Sequence, residues 1–170
     1  SPYLQVTGEE GDIGGDFLIR LVEDATQEDY MDLRVGLRDG DASFTTKYLP
    51  SRVPDFSDEL EHWLSTAIQA GHINQGYFQY QGSLNKGAAP ESRSLSLYFD
   101  VHNAQLEYQP GWPALTDATA QVLIEDSGVR ISVDQGKILN SPVSRAYAEV
   151  TYGAAGAIPV LQLHAQLQSS

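Results

Sequence analysis

The residues best suited to chemistry are four histidines, many carboxylates and scattered serines in a chain of 170 residues without cysteine. His62, His72, His102 and His164 lie far apart, and no His-x3-His or His-Glu-x-x-His spacing occurs. A zinc site needs imidazoles or carboxylates one helical turn apart, or thiolates, so no metal is expected. No Gly-x-Ser-x-Gly elbow presents a serine nucleophile. The glycine-rich run Gly11-Asp12-Ile13-Gly14-Gly15 lacks a phosphate-binding lysine and a following helix, so it reads as a turn and not as a nucleotide loop. Asp100 and Glu107 are the one pair that glycosidic chemistry could use. Outward polar positions on a strand account for them more simply. The expectation is a protein that is not an enzyme and carries no cofactor.

The elements that hold these residues are strands. From Leu95 to Asp126 the apolar residues Leu95, Leu97, Phe99 and Val101 alternate with Ser96, Tyr98 and Asp100. That is the period of a sheet with one oily face. At His102–Asn103 the parity flips, and Ala104, Leu106 and Tyr108 carry the apolar side onward. A one-residue flip requires a bulge or bend, or the apolar set would change faces. Gln109-Pro110-Gly111-Trp112-Pro113 then breaks the ladder, because a proline has no N–H to donate. Ala118, Ala120, Val122 and Ile124 resume it.

The same style fills the rest of the chain. Tyr3 to Gly8 reads as a strand, followed by a turn at Glu9–Asp12 and a second break at Gly14-Gly15. Phe17, Ile19 and Leu21 alternate, then Met31, Leu33, Val35 and Leu37. Asp39-Gly40 predicts a hairpin with Ala42, Phe44 and Tyr48 on the return strand. Ile73 to Gly82, Val129 to Val133, Ala146 to Tyr152 and Leu161 to Leu167 complete roughly ten strands. One stripe alone has helical period: Phe56, Leu60, Trp63, Leu64, Ala67 and Ile68, predicting a helix over about 55–70 with Gly71 at its C-terminal cap.

The net charge of −13 argues against nucleic acid and against a polybasic membrane patch. The hydrophobic share of 41% is that of a chain with a real core. No run of about 18 apolar residues is present, so no segment is expected to cross a bilayer as a helix. Both ends are strand-like, and the whole of 1–170 is read as a single segment, an internal length of a longer protein.

Short connections predict antiparallel meanders. Ten strands at about 4.8 Å make a sheet roughly 45 Å wide. One helix of about 10–12 Å diameter does not cover that. The apolar face therefore either closes on itself as a sandwich or barrel, or stays open as a groove that needs an apolar ligand.

Tyr48-Leu49-Pro50, the Trp-containing helix, Gly71 and the strand ending at Gly82 resemble the YhdP-type members of the AsmA-like envelope proteins. So does the order Phe99-Asp100-Val101, Asn103-Ala104, Leu106, then Tyr108-Gln109-Pro110-Gly111-Trp112-Pro113-Ala114-Leu115. The resemblance covers about Tyr48 to Tyr152. It implies a mainly β chain whose curved antiparallel sheet forms an open half-pipe with an apolar interior. It also implies a periplasmic location within an inner-membrane-anchored protein, and phospholipid carried between inner and outer membranes. Acyl chains and neighbouring segments of the same protein would be the partners, and membranes would be contacted only through other segments. The expected groove lining is Leu95, Leu97, Phe99, Val101, Leu106, Val122, Ile124, Ile131, Val133, Ala148, Val150, Leu161 and Leu163. Phe56, Leu60, Trp63, Leu64 and Ile68 would pack the helix on the sheet or cap the groove. The rival expectation is a closed β-sandwich that binds protein and carries no lipid.

Overall fold

The computed structural model describes residues 3–8, 11–21, 28–42, 68–85, 87–107, 111–126, 128–151 and 160–167. These form one mixed-length antiparallel sheet of nine strands: β1 (Tyr3–Gly8), β2 (Gly11–Arg20), β3 (Tyr30–Asp41), β4 (Ile68–Ser83), β5 (Arg93–Leu106), β6 (Leu115–Glu125), β7 (Gly128–Ile138), β8 (Ser141–Thr151) and β9 (Val160–Leu167). Each strand pairs with its neighbours in sequence, and the described sheet does not close into a barrel. The open antiparallel sheet that the resemblance implies is therefore present, and among the described residues no second sheet packs against it.

Several local readings are corrected. Asp39-Gly40 is no hairpin: β3 runs through it to Asp41, and its antiparallel partner is β4, which begins at Ile68. Gly14-Gly15, expected as a break, lies inside β2, where the ladder continues. Ile68, expected on the helix, is the first residue of β4, so no helix reaches residue 70. Gly71 does not cap a helix. It sits in β4 at φ +138°, where a Cβ would come within 2.9 Å of the Ala104 backbone. Phe44, Tyr48, Phe56, Leu60, Trp63 and Leu64 lie outside the described residues.

The bend expected at His102–Asn103 is present. Asn103 has φ +50°, and the β5–β6 register shifts between Val101 and Ala104. It is one of a series. Asp39 (φ +53°), Asp117 (φ +51°) and Arg145 (φ +52°) occupy the left-handed region on β3, β6 and β8. The registers of β4 with β5, β5 with β6, β6 with β7 and β8 with β9 all shift beside these positions. Asp and Asn tolerate that conformation because their short side chains bond locally. A bulge bends its strand and strengthens its twist. Bulges aligned across neighbouring strands therefore crease the sheet from β3 to β8 along one transverse line.

On the inner side of that crease the residues are small. Gly40, Ala104, Ala118, Ala120 and Gly136 are all buried there. Larger side chains would crowd the concave side of a bend. The pairing of β1 with β2 and of β2 with β3 runs without any such shift, so the N-terminal end of the sheet is uncreased.

The outer face is polar. The Arg130 Nε donates to Tyr147 Oη at 2.9 Å, and Tyr147 Oη donates to a Glu149 carboxylate oxygen at 2.7 Å. Arg130 Nη2 also donates to Glu149 at 3.3 Å. The Tyr147 hydroxyl first, and Arg130 second, hold the Glu149 carboxyl below the usual carboxylate range. At the hairpin tips, Asp126 accepts from the Leu95 amide at 2.8 Å, and the Leu84 amide donates to the Asp29 carbonyl at 2.9 Å.

Two outcomes follow from this geometry. Gly128 sits at φ +152°, and a Cβ there would lie 2.0 Å from the Val150 carbonyl oxygen. Gly128→Ala should lower unfolding free energy by about 2 kcal/mol or more in urea titrations. The depressed Glu149 group contributes stability above its unfolded pKa, and this is lost as pH falls through the folded value. NMR titration of Tyr147→Phe should move the Glu149 midpoint upward toward the ordinary value.

Candidate functional site

In an antiparallel ladder, directly opposed residues share a face. Backbone register therefore assembles the apolar positions of nine strands into transverse rows. One row runs Val6, Ile13, Leu37, Gly76, Phe99, Val122, Ile131 and Ala148, and ends in register at Leu163. The next runs Leu4, Gly15, Val35, Phe78, Leu97, Ile124, Val129 and Val150, and ends at Leu161. A third, nearer the crease, joins Ile73, Val101, Ala120, Val133 and Ala146. No charged residue occupies any of these row positions. Eight strand spacings of about 4.8 Å give this wall a length near 38 Å.

Eleven of the thirteen positions expected to line a groove fall in these three register rows. Leu106 closes the wall beyond the crease, opposite Leu115, and Leu95 opposes Tyr80 at the other end. Leu161 and Leu163 are placed by backbone register alone.

Exposure along the wall is uneven. Val101 is 0% exposed, and Leu97 and Val122 are 1% exposed. Leu95, Phe99, Leu106, Ile124 and Val133 are also buried, while Ile131, Ala148 and Val150 are half-buried. At the N-terminal end the same face is open to water: Leu4 is 64%, Val6 55%, Phe17 43% and Ile19 49% exposed. The crease accompanies the change. Burial is deepest along β4 to β6, less complete on β3, β7 and β8, and least on β1 and β2.

The reading of the central ribbon missed more than half of the wall. Leu4, Val6, Met31, Leu33, Phe78, Tyr80 and Leu115 share its face, as does Ile13 of the run expected to turn, yet alternation alone places each only within its own segment. Their alternation was visible, whereas the register that aligns them depends on pairing between strands. Tyr80 is the polar exception, and its hydroxyl is turned aside to donate to the Ser83 carbonyl.

Among the described residues, the histidines and carboxylates suited to catalysis stand in separate pairs. His72 and His102 are opposed across β4 and β5, on the polar face, and each lies beside its own carboxylate: Asp39 at 3.6 Å and Asp100 at 3.7 Å. Asp100 also accepts from Asn74 at 3.3 Å, and Glu107 accepts from Gln69, so each member of the imagined carboxylate pair is held by a separate amide. His164 lies on β9 opposite Tyr147. Among the described residues no group of three or more histidines and carboxylates is arranged to hold a metal ion, and no described helix is long and apolar enough to cross a membrane.

The closed and open parts of the wall should respond differently to charge. Val101→Asp buries a carboxylate with no partner and should cost about 3 kcal/mol or more, or unfold the chain. Ile19→Asp places its charge at a half-open position and should change the urea midpoint far less. Equal losses in the two variants would contradict the difference in exposure.

Comparison with known proteins places the chain in a family. A search of curated proteins finds the intermembrane phospholipid transporter YhdP of Escherichia coli (strain K12), 25% identical over 118 residues. That match covers 68% of this chain and 9% of the E. coli protein. No solved structure matches the chain. The model of the family described as YhdP protein matches residues 7–170, nearly the whole length, and the chain belongs to that family.

Proposed function

We propose that this chain is a length of a lipid-transfer conduit, in which phospholipid acyl chains travel along the apolar wall while head groups stay in water at its margin. The observation that carries the reading is the uncharged wall running across all nine strands of one open sheet. A binding pocket holds its ligand by features that differ from their surroundings. Here each strand offers the next an uncharged position in register. Each methylene withdrawn from water contributes about 0.8 kcal/mol wherever it lies on such a surface. The chain is held against the wall, yet moving it by one strand exchanges equivalent contacts. Affinity without a preferred position is what transport by sliding requires, and no covalent step enters it.

Membership of the YhdP family and the name of the E. coli relative support phospholipid as cargo and the space between two membranes as the setting. The relative is far longer than this chain, so the anchor in the inner membrane and the contacts with either bilayer are assigned to other parts of such a protein. Neighbouring segments would extend the wall at its two edges, where β1 and β9 each have one strand partner. The stripe Phe56, Leu60, Trp63 and Leu64 would serve as a cover for the wall. Along β4 to β6 a lipid would pass only in exchange for whatever shields the wall there from water.

The test is extraction of the purified full-length protein followed by mass spectrometry of the extract. Phospholipid should be recovered in at least equimolar amount, and Phe17→Asp should reduce the yield severalfold without changing the circular dichroism spectrum. A protein preparation free of phospholipid would contradict the conduit.

A further inference from the structure

We propose that His72 and His102 form a bridging site for a divalent transition-metal ion of the zinc class, held across β4 and β5 on the outer face of the sheet. The spacing that argues against a metal concerns ligands close in sequence. These two histidines are far apart along the chain, and backbone register brings them directly opposite each other. Opposed residues hold their Cβ atoms about 4.5–5.5 Å apart on one face. Their strand neighbours Ile73 and Val101 are opposed too, and both are 0% exposed on the inner face, so the imidazoles share the outer one. The histidine side chains are 51% and 44% exposed, within reach of an ion in solution. Two imidazole nitrogens bound to one zinc at about 2.0–2.1 Å lie about 3.3 Å apart, a span these rings reach by turning about χ1 and χ2.

The surroundings suit this use. The Nε2 of each ring faces a carboxylate, Asp39 for His72 at 3.6 Å and Asp100 for His102 at 3.7 Å. Asp100 is itself held by the Asn74 amide at 3.3 Å. A carboxylate beside one ring nitrogen fixes the tautomer and makes the other nitrogen the better metal donor. That nitrogen is Nδ1 in both rings. Among the described residues no third histidine or carboxylate is placed to ligate with the pair, so water completes the tetrahedron. Imidazole donors select zinc-class ions over magnesium and calcium, which prefer oxygen.

The place of the pair says what the ion does. The β4–β5 register shifts on both sides of it, between Ala70 and His72 and between Ile73 and Gln75. Ladder hydrogen bonds are interrupted at such shifts. An ion shared by the two imidazoles ties β4 to β5 at this gap. It braces the crease from the polar side and leaves the apolar wall free.

The experiment treats the full-length protein with diethyl pyrocarbonate, which acylates free imidazole nitrogens, and reads the modification peptide by peptide by mass spectrometry. Micromolar zinc should lower labelling of His72 and His102 together by severalfold, with His164, exposed on β9, as the unprotected reference. Magnesium at the same concentration should protect neither. In His102→Gln the protection of His72 should be lost, and in His72→Gln that of His102, with the circular dichroism spectrum unchanged. Labelling of the wild-type pair that zinc leaves unaltered would overturn the site, and this arm decides even where a variant fails to fold. Protection of one histidine that survives replacement of the other would overturn it as well, because each imidazole would then bind an ion with its own carboxylate. Equal protection by magnesium, or at His164, would do the same by removing the selectivity that the paired imidazoles confer.

Discussion

The structure depends on one constraint: a strand that alternates oily and polar residues has to keep every oily residue on the same side as its neighbours' oily residues. Backbone pairing enforces this, because opposed residues share a face and a slip of one position would turn the whole set outward. In this chain the constraint holds across nine strands, and among the described residues no second sheet encloses the result. Most β proteins bury such a face against another layer. Here the face bends along a crease of bulges, and its burial is deepest along β4 to β6.

The crease reconciles alternation with curvature. Each bulge adds one residue to a strand and so reverses the parity beyond it. The chain compensates by shifting its apolar residues by one, as from Val101 to Ala104. Asn103 and Asp117 occupy the required left-handed conformation at small cost, whereas Arg145 has no short polar side chain to ease it. Burying a Val or Leu contributes roughly 1.5–3 kcal/mol, so a wall of such residues readily outweighs a few strained positions. Strain is thus concentrated where curvature is made, and the arms on either side remain regular.

Much of this was legible in the residues. Alternation identified the strands, and the parity flip at His102–Asn103 located a bulge before any register was known. Two kinds of signal misled. Asp39-Gly40 has the composition of a tight hairpin, but the same preference for positive φ serves a bulge equally well, and pairing with β4 decided between them. Gly71 looked like a helix cap for a related reason: its freedom at φ +138° serves close approach to Ala104. Local preference names the backbone angle and leaves open the element that uses it. The openness of Phe17 and Ile19 was invisible for another reason, since it depends on what the neighbouring strands do and not on the residues themselves.

The strand order has a consequence for how such a protein changes size. Because each strand pairs only with the strands adjacent in sequence, an inserted hairpin lengthens the wall by two spacings, about 9.6 Å, without disturbing the faces on either side. Removing one shortens it by the same step. An architecture of this kind can be fitted to gaps of different breadth by gene duplication or loss of a unit of some two dozen residues, and its growth needs no redesign of existing contacts.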